Sequence, residues 1–278
     1  MKKITAILLL FVLCFSLCAC QKNEQNGDIQ TEPTIERVEA SYLFDPVTNV
    51  AAAQMCIGKE TTLFGRISEI AVDHCVINVA HSYDKNVTIY LDTSILAGFA
   101  VGEIKAFTGV VASVGASTYT LTDAIVEDNT TANTFIQNYI NELFHGASGQ
   151  AINYCNLHVI AQYVFEHPSE YRFDSIEAGE AYIANKWKIF VCHSSSSPFV
   201  GSYRLPTNGK GIYTTQGDYM SGDFEIKMNN NGTLELTHMN RNVAYTGDAY
   251  YLSEYYCFVN TFNIHTMQRS WFFLSRLS

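Results

Sequence analysis

Cysteine and histidine carry the strongest chemistry in this 278-residue chain, which holds eight of each. Cys155 and His158 lie three apart in a stretch read as helical, a spacing that places two ligands on one face. His74-Cys75 and Cys192-His193 are adjacent pairs. Neighbours on a strand face opposite ways, so the dipeptides chelate poorly, and the helical pair lacks a third ligand at a spacing diagnostic of zinc. HExxH and EF-hand patterns are absent, and neither a metal nor a cofactor is expected. Nucleophilic chemistry has no local signature either. There is no Gly-x-Ser-x-Gly elbow, and Ser194 to Ser197 reads as a flexible turn. Glu177 and Glu180 fit a solvated helix face. Glu225 and Glu235 sit on the two arms of a predicted hairpin where they could face each other, with Lys227 nearby. No catalytic residue is assigned, and a non-enzymatic protein is expected. The alternative is a hydrolase whose site lies in the C-terminal half, since triads need not be local in sequence.

Residues suited to binding stand out more clearly. Phe64 and Arg66 share the outward parity of one predicted strand and Tyr90 that of another, which displays two aromatics and a cation as possible ligand contacts. The rival place for Phe64 is beneath the N-terminal helix or against the second domain. The net charge of −10 weighs against a protein that holds nucleic acid by neutralising phosphates.

The elements around these residues follow a regular order. Asp45-Pro46 opens a short helix over Val47 to Cys56, stopped by Gly58. Strands follow over Thr61 to Ile70, Cys75 to Val79, Val87 to Leu91, Ile104 to Val114 and Tyr119 to Val126, with a helical segment over Thr93 to Phe99. Five strands with one helix after the third is the order of an OB barrel. Gly58 to Ile70, Val101-Gly102-Glu103 through Gly109-Val110-Val111, and Tyr119 to Asp123 resemble the tRNA-anticodon-like OB-fold family, found mainly in bacterial lipoproteins of unassigned function. Lys105 stands where that pattern has an apolar residue. The family's motifs specify a barrel and contain no catalytic residue. Residues 45 to 128 hold four basic side chains against ten acidic ones, which opposes the RNA binding that the family's label suggests.

From Asn129 onward the periodicity predicts helices at Thr134 to His145 and about Ala151 to Glu166, and Asp174-Ser175-Ile176-Glu177 reads as a capping box opening a third. Strands follow at Trp187 to Cys192, at Phe224 to Met228 and Thr233 to Thr237 around an Asn229 to Gly232 turn, at Tyr250 to Phe262 and at Ser270 to Leu277. Helices first and antiparallel strands afterwards indicate an α+β unit, either a curved sheet against helices or a small barrel preceded by them. The whole chain is thus expected to be mostly β, a five-stranded OB barrel over 41–128 followed by this α+β domain over 129–278.

Met1-Lys2-Lys3 followed by the apolar run Ile4 to Leu17 has the layout of a secretory signal peptide. Its end, Leu17-Cys18-Ala19-Cys20, resembles the lipobox of bacterial lipoproteins, and the resemblance implies cleavage after residue 19 and acylation of Cys20. Residues 1–19 are then the signal peptide and 20–40 an acidic flexible tether. The expected mature protein carries a charge of −12 and is anchored outside the cytoplasm by its N-terminal lipid. Its expected partners are the membrane and an unidentified protein or small-molecule ligand. Cys56, Cys75, Cys155, Cys192 and Cys257 are too widely spaced for a disulfide scaffold; a Cys192 to Cys257 bridge is open.

Overall fold

The computed structural model describes residues 35–45, 50–145, 152, 154–175, 177–178, 188–194, 197–205, 210–215, 221–228, 234–240, 243–263 and 268–276. The expected signal peptide, Cys20, the part of the expected tether before residue 35, Pro46, most of the third predicted helix and the Asn229 to Gly232 turn lie outside them; the last residues of the expected 20–40 tether are not free, since Glu36 and Val38 hydrogen-bond to Glu60.

Two short helices, α1 (Ala40–Leu43) and α2 (Val50–Gln54), precede strands β1 (Glu60–Ile70), β2 (His74–Val79) and β3 (Asn86–Tyr90). Helix α3 (Thr93–Leu96) leads to β4 (Ile104–Val114) and β5 (Thr118–Val126). The five strands close in the order β1-β2-β3-β5-β4, the parallel pairing of β3 with β5 sealing the ring. This is the expected OB arrangement. Alternate residues Leu63, Ile67, Cys75, Ile77, Val79, Val87 and Ile89 form its core, with Leu96 of α3 and Leu43 of α1 packed against them. Lys105 keeps its ammonium 5.8 Å from the centre of the Phe99 ring and 3.7 Å from Glu103, so its stem covers apolar surface while its charge stays wet.

Gly65 marks where β1 crosses β2 most closely. A Cβ there would lie 2.4 Å from the Asn78 carbonyl oxygen and 2.9 Å from Ile77 Cδ1. The Gly65→Ala variant is therefore expected to lose about 3 kcal/mol of stability through forced displacement of β2. Urea unfolding measures this, and a loss below about 0.5 kcal/mol would show that β2 yields freely.

Helix α4 (Asn129–His145) begins earlier than its apolar pattern does, because Asp128 caps it: its carboxylate accepts from Thr130 N at 2.9 Å and Thr131 N at 3.1 Å. Helix α5 (Leu157–Glu166) begins later than expected. Asn156 is its cap, accepting from Val159 N, so Ile152 and Cys155 are buried ahead of the helix rather than on it.

Strands β6 (Lys188–Ser194), β7 (Ser197–Leu205), β8 (Lys210–Thr215), β9 (Ser221–Met228), β10 (Leu234–Asn240), β11 (Val243–Ser253), β12 (Tyr256–Asn263) and β13 (Gln268–Arg276) follow. Every neighbour in this series is antiparallel, and β13 returns to pair with β6. The expected order of helices then antiparallel strands holds, and the sheet closes into an eight-stranded meander barrel. Strands β7 and β8 went unread because Gly, Ser and Thr dilute their alternation. The run Tyr250 to Phe262 divides in two, since the Ser253 hydroxyl accepts from Tyr255 N and turns the chain at Glu254-Tyr255.

The two barrels share a core. Phe64, Ala80 and Ala106 of the first pack in one cluster with Ile136, Ile140 and Phe144 of α4, Val159 and Ile160 of α5, and Tyr250, Phe258 and Phe273 of the second. The chain is mostly β, with its longer helices filling the seam.

Candidate ligand-contact site

Strand β1 sets Phe64 and Arg66 on one face, opposite Ala106 and Ile104 of β4. Helices α4 and α5 cover that face, and the two side chains meet different fates. Phe64 is fully buried, which corrects its assignment as a ligand contact. Its ring stands edge-on to His81 at 5.4 Å, Phe135 at 6.1 Å and Tyr139 at 5.3 Å. The physical reason is that an apolar ring beside two alanines leaves a shallow hollow, and the helical seam fills it.

His81 is the residue that sequence reasoning missed here. It follows β2 in the segment 80–83, which backbone hydrogen bonds fasten on both sides: Ala80 N donates to Phe64 O, Asn156 N to Ala80 O, and Tyr83 N to Tyr154 O. The imidazole lies 4.4 Å from the Tyr139 ring and within 6.0 Å of Phe44, and its Nδ1 has no hydrogen-bond partner among the described residues. Burial pushes its pKa down to about 3, so the ring is neutral. Burial likewise raises Tyr139 well above the ordinary phenol range. The cluster is a neutral aromatic box with nothing to take or give a proton near neutrality. An isolated histidine in a turn gives no periodic signal that could have announced it.

Arg66 remains exposed at the rim of the same seam, as expected. Around it stand Gly102 and His158 on the first turn of α5. His158 is held edge-on to Trp271 at 5.0 Å, and its pKa is lowered by partial burial and by the Arg66 charge. Gln162 donates to the Gly102 carbonyl at 2.7 Å, fastening α5 to the loop before β4. The Arg66 charge thus reaches an exposed imidazole that packs against Trp271, side chains drawn from three elements.

Tyr90 is exposed but belongs elsewhere. Its ring lies 5.4 Å from that of His74 at a tilt of 46°, and His74 Nδ1 lies 2.7 Å from Asp73 Oδ1. Tyr90 is four residues along β3 from Asn86, the residue whose partner Asn78 lies opposite Arg66. That separates Tyr90 from Arg66 by about 13 Å along the strand, so the structure does not bring the two together. The outer positions of β2 and β3 carry no Lys or Arg.

Burial divides Cys155 from His158 and Cys75 from His74, and register separates Glu225 from Glu235. Cys155 donates to the Ile152 carbonyl at 3.2 Å, and burial pushes its thiol up to about 12. Cys75 lies in the barrel core with its thiol at about 11, while His74 is outside. Among the described residues no three His, Cys, Asp or Glu converge on a metal position. Glu235 is paired in register with Lys227 and Glu225 with Thr237, so the two acids do not face each other. Cys192 and Cys257 both lie opposite Leu274 on strands that flank β13, about 9.6 Å apart and out of bridging range.

No protein-family model matches the chain, and no curated protein matches it. One similar solved structure is a Klebsiella pneumoniae protein provisionally named a nucleic acid-binding lipoprotein, 19% identical, with a TM-score of 0.28. It covers 37% of this chain and 100% of its own.

Proposed function

We propose that this protein is a non-enzymatic lipoprotein, anchored outside the cytoplasm through acylated Cys20, that binds a ligand or protein partner and does not bind nucleic acid. The observation that carries the anchoring is the basic n-region, apolar run and Leu17-Cys18-Ala19-Cys20 ending. No helix among the described residues is long and apolar enough to cross a membrane. Two or more acyl chains on one cysteine would hold the folded part stably at a bilayer. The acidic balance and the lack of Lys or Arg on β2 and β3 support a ligand other than nucleic acid.

Mass spectrometry of the native protein is expected to find an N-terminal peptide beginning at acylated Cys20. The Cys20→Ala variant should leave the membrane fraction for the aqueous one. A native protein that begins at an unmodified residue, or a variant that still pellets with membranes, would refute the anchor.

A further inference from the structure

We infer that the end of the first barrel where β1 begins is a lipid-facing rim, seated in the headgroup region of the bilayer that holds the Cys20 anchor. The inference rests on that anchoring and deepens it by assigning the face that the membrane covers.

Among the described residues thirteen large apolar side chains are exposed, and five of them fall between residues 35 and 57: Ile35, Tyr42, Val50, Met55 and Ile57. Met55, at 77% exposure, is the most open of the thirteen. Scattered singly such residues carry no meaning, so what matters is whether the fold gathers them. Backbone hydrogen bonds do so. Glu60 N donates to Glu36 O and Val38 N to Glu60 O, both at 2.8 Å, which lays residues 36–38 parallel to the start of β1. Ile35 is therefore level with Gly58, the residue after Ile57. Gly58 N donates to Val111 O at 2.8 Å and Val111 N to Lys59 O at 2.9 Å, fixing the same segment against β4. Helices α1 and α2 are held here by their inner sides, where Ala40, Leu43 and Ala53 enter the barrel core together with Cys56. Tyr42 and Val50 are what the two helices present outward, and the Tyr42 phenol is close enough to act on the Lys59 charge.

Charge and position decide what covers this end. The two basic side chains of the rim are already paired, Lys59 with Glu36 at 2.8 Å and Arg37 with Glu60 at 2.9 Å. Attraction to the rim therefore comes from apolar contact, with a tyrosine set among aliphatic side chains, a composition suited to a boundary between water and lipid. Ile35 lies fifteen residues after Cys20, at most about 50 Å of chain, and is itself part of the rim. The anchored end of the chain thus joins the folded part at the apolar rim, which makes the bilayer the partner present there at high effective concentration. Val72 is as open as Met55, at 76%, but lies beyond the other end of β1, eleven residues or about 35 Å of strand away.

The test places the acylated full chain carrying Met55→Cys, labelled with the fluorophore NBD, in phosphatidylcholine vesicles that contain doxyl-labelled lipid. The parent protein, in which Cys56, Cys75, Cys155 and Cys257 are buried, sets the background of labelling. The label at position 55 is expected to lie about 5–10 Å deep and to be quenched, and the same label in Val72→Cys to stay in water and unquenched. Adding Val50→Asp and Ile57→Asp, both exposed sites, should abolish quenching at position 55 while the protein still floats with the vesicles. In protein that floats with vesicles, equal quenching at positions 55 and 72, no quenching at either, or quenching that survives the two aspartates overturns the inference and leaves the anchor standing. Protein that fails to float refutes the anchor, and the rim falls with it. A Cys20→Ala protein that dimerises in solution and becomes monomeric with the two aspartates would also overturn the inference, by giving this face to a second copy of the chain.

Discussion

Replacing Phe64 by Ala is expected to lower the unfolding free energy by about 4 kcal/mol, near the upper range for a buried ring. The cost is large because the ring has no room to be replaced: His81, Phe135 and Tyr139 surround it and Ala80 and Ala106 form its floor. None of these short or rigid side chains can swing in to fill the void. Phe64→Leu, which keeps most of the volume, should cost about 1.5 kcal/mol or less. The same pair of variants separates packing at the seam from any role in ligand contact. Urea unfolding followed by near-ultraviolet circular dichroism reads both numbers. Loss of less than about 1 kcal/mol in Phe64→Ala would mean that the barrels do not depend on their common core.

Acid should destabilise this protein through His81. Its folded pKa of about 3 lies far below the value near 6.5 of a solvated imidazole, so between those values the unfolded chain binds a proton that the folded one refuses. The neutral ring's contribution is complete above about pH 6.5 and declines as pH falls toward about 3, by about 1.4 kcal/mol for each unit. Between about pH 6.5 and pH 5 the expected loss is about 2 kcal/mol. His81→Phe keeps the aromatic box of Phe44, Phe64 and Tyr139 and removes the proton acceptor, and with it Nδ1, which has no partner among the described residues. Its urea midpoint should therefore fall less between the two pH values than that of the parent. Parallel pH dependence in the two proteins would assign the acid response to other groups.

The first barrel was legible because its strands are half-buried, one face on the core and one on solvent or seam, which writes a period of two into the chain. Leu63 to Ile67 and Cys75 to Val79 show it plainly, and the strand bounds agree with the structure to within a residue. The second barrel was harder. Its β7 and β8 place Gly201 and Gly211 where the alternation needs a large residue, and Tyr250 through Phe262 is apolar through a turn that only Ser253 marks. Antiparallel strands were visible, but closure depends on β13 meeting β6, about eighty residues apart in the chain, and no local pattern encodes such a pairing.

For the candidate sites the same division holds at the level of single side chains. Parity put Phe64 and Arg66 on one face of β1, and that is where they are. Whether that face meets solvent is decided by helices that begin some sixty residues later, so one of the pair became core and the other stayed at the rim. His81 acquired its depressed pKa in the same way, from Tyr139, Phe135 and Phe44, none of them near it in sequence.

The sequence by itself determined the charge balance, the barrel order of the first five strands, and the absence of a local catalytic motif, because composition, alternation and spacing are properties of the chain. Tertiary structure alone decided that the last eight strands close, that Phe64 is buried, and that Cys192 and Cys257 stand two strands apart. Those facts depend on long-range pairing and on which surfaces bury one another, quantities that arise only when distant segments meet.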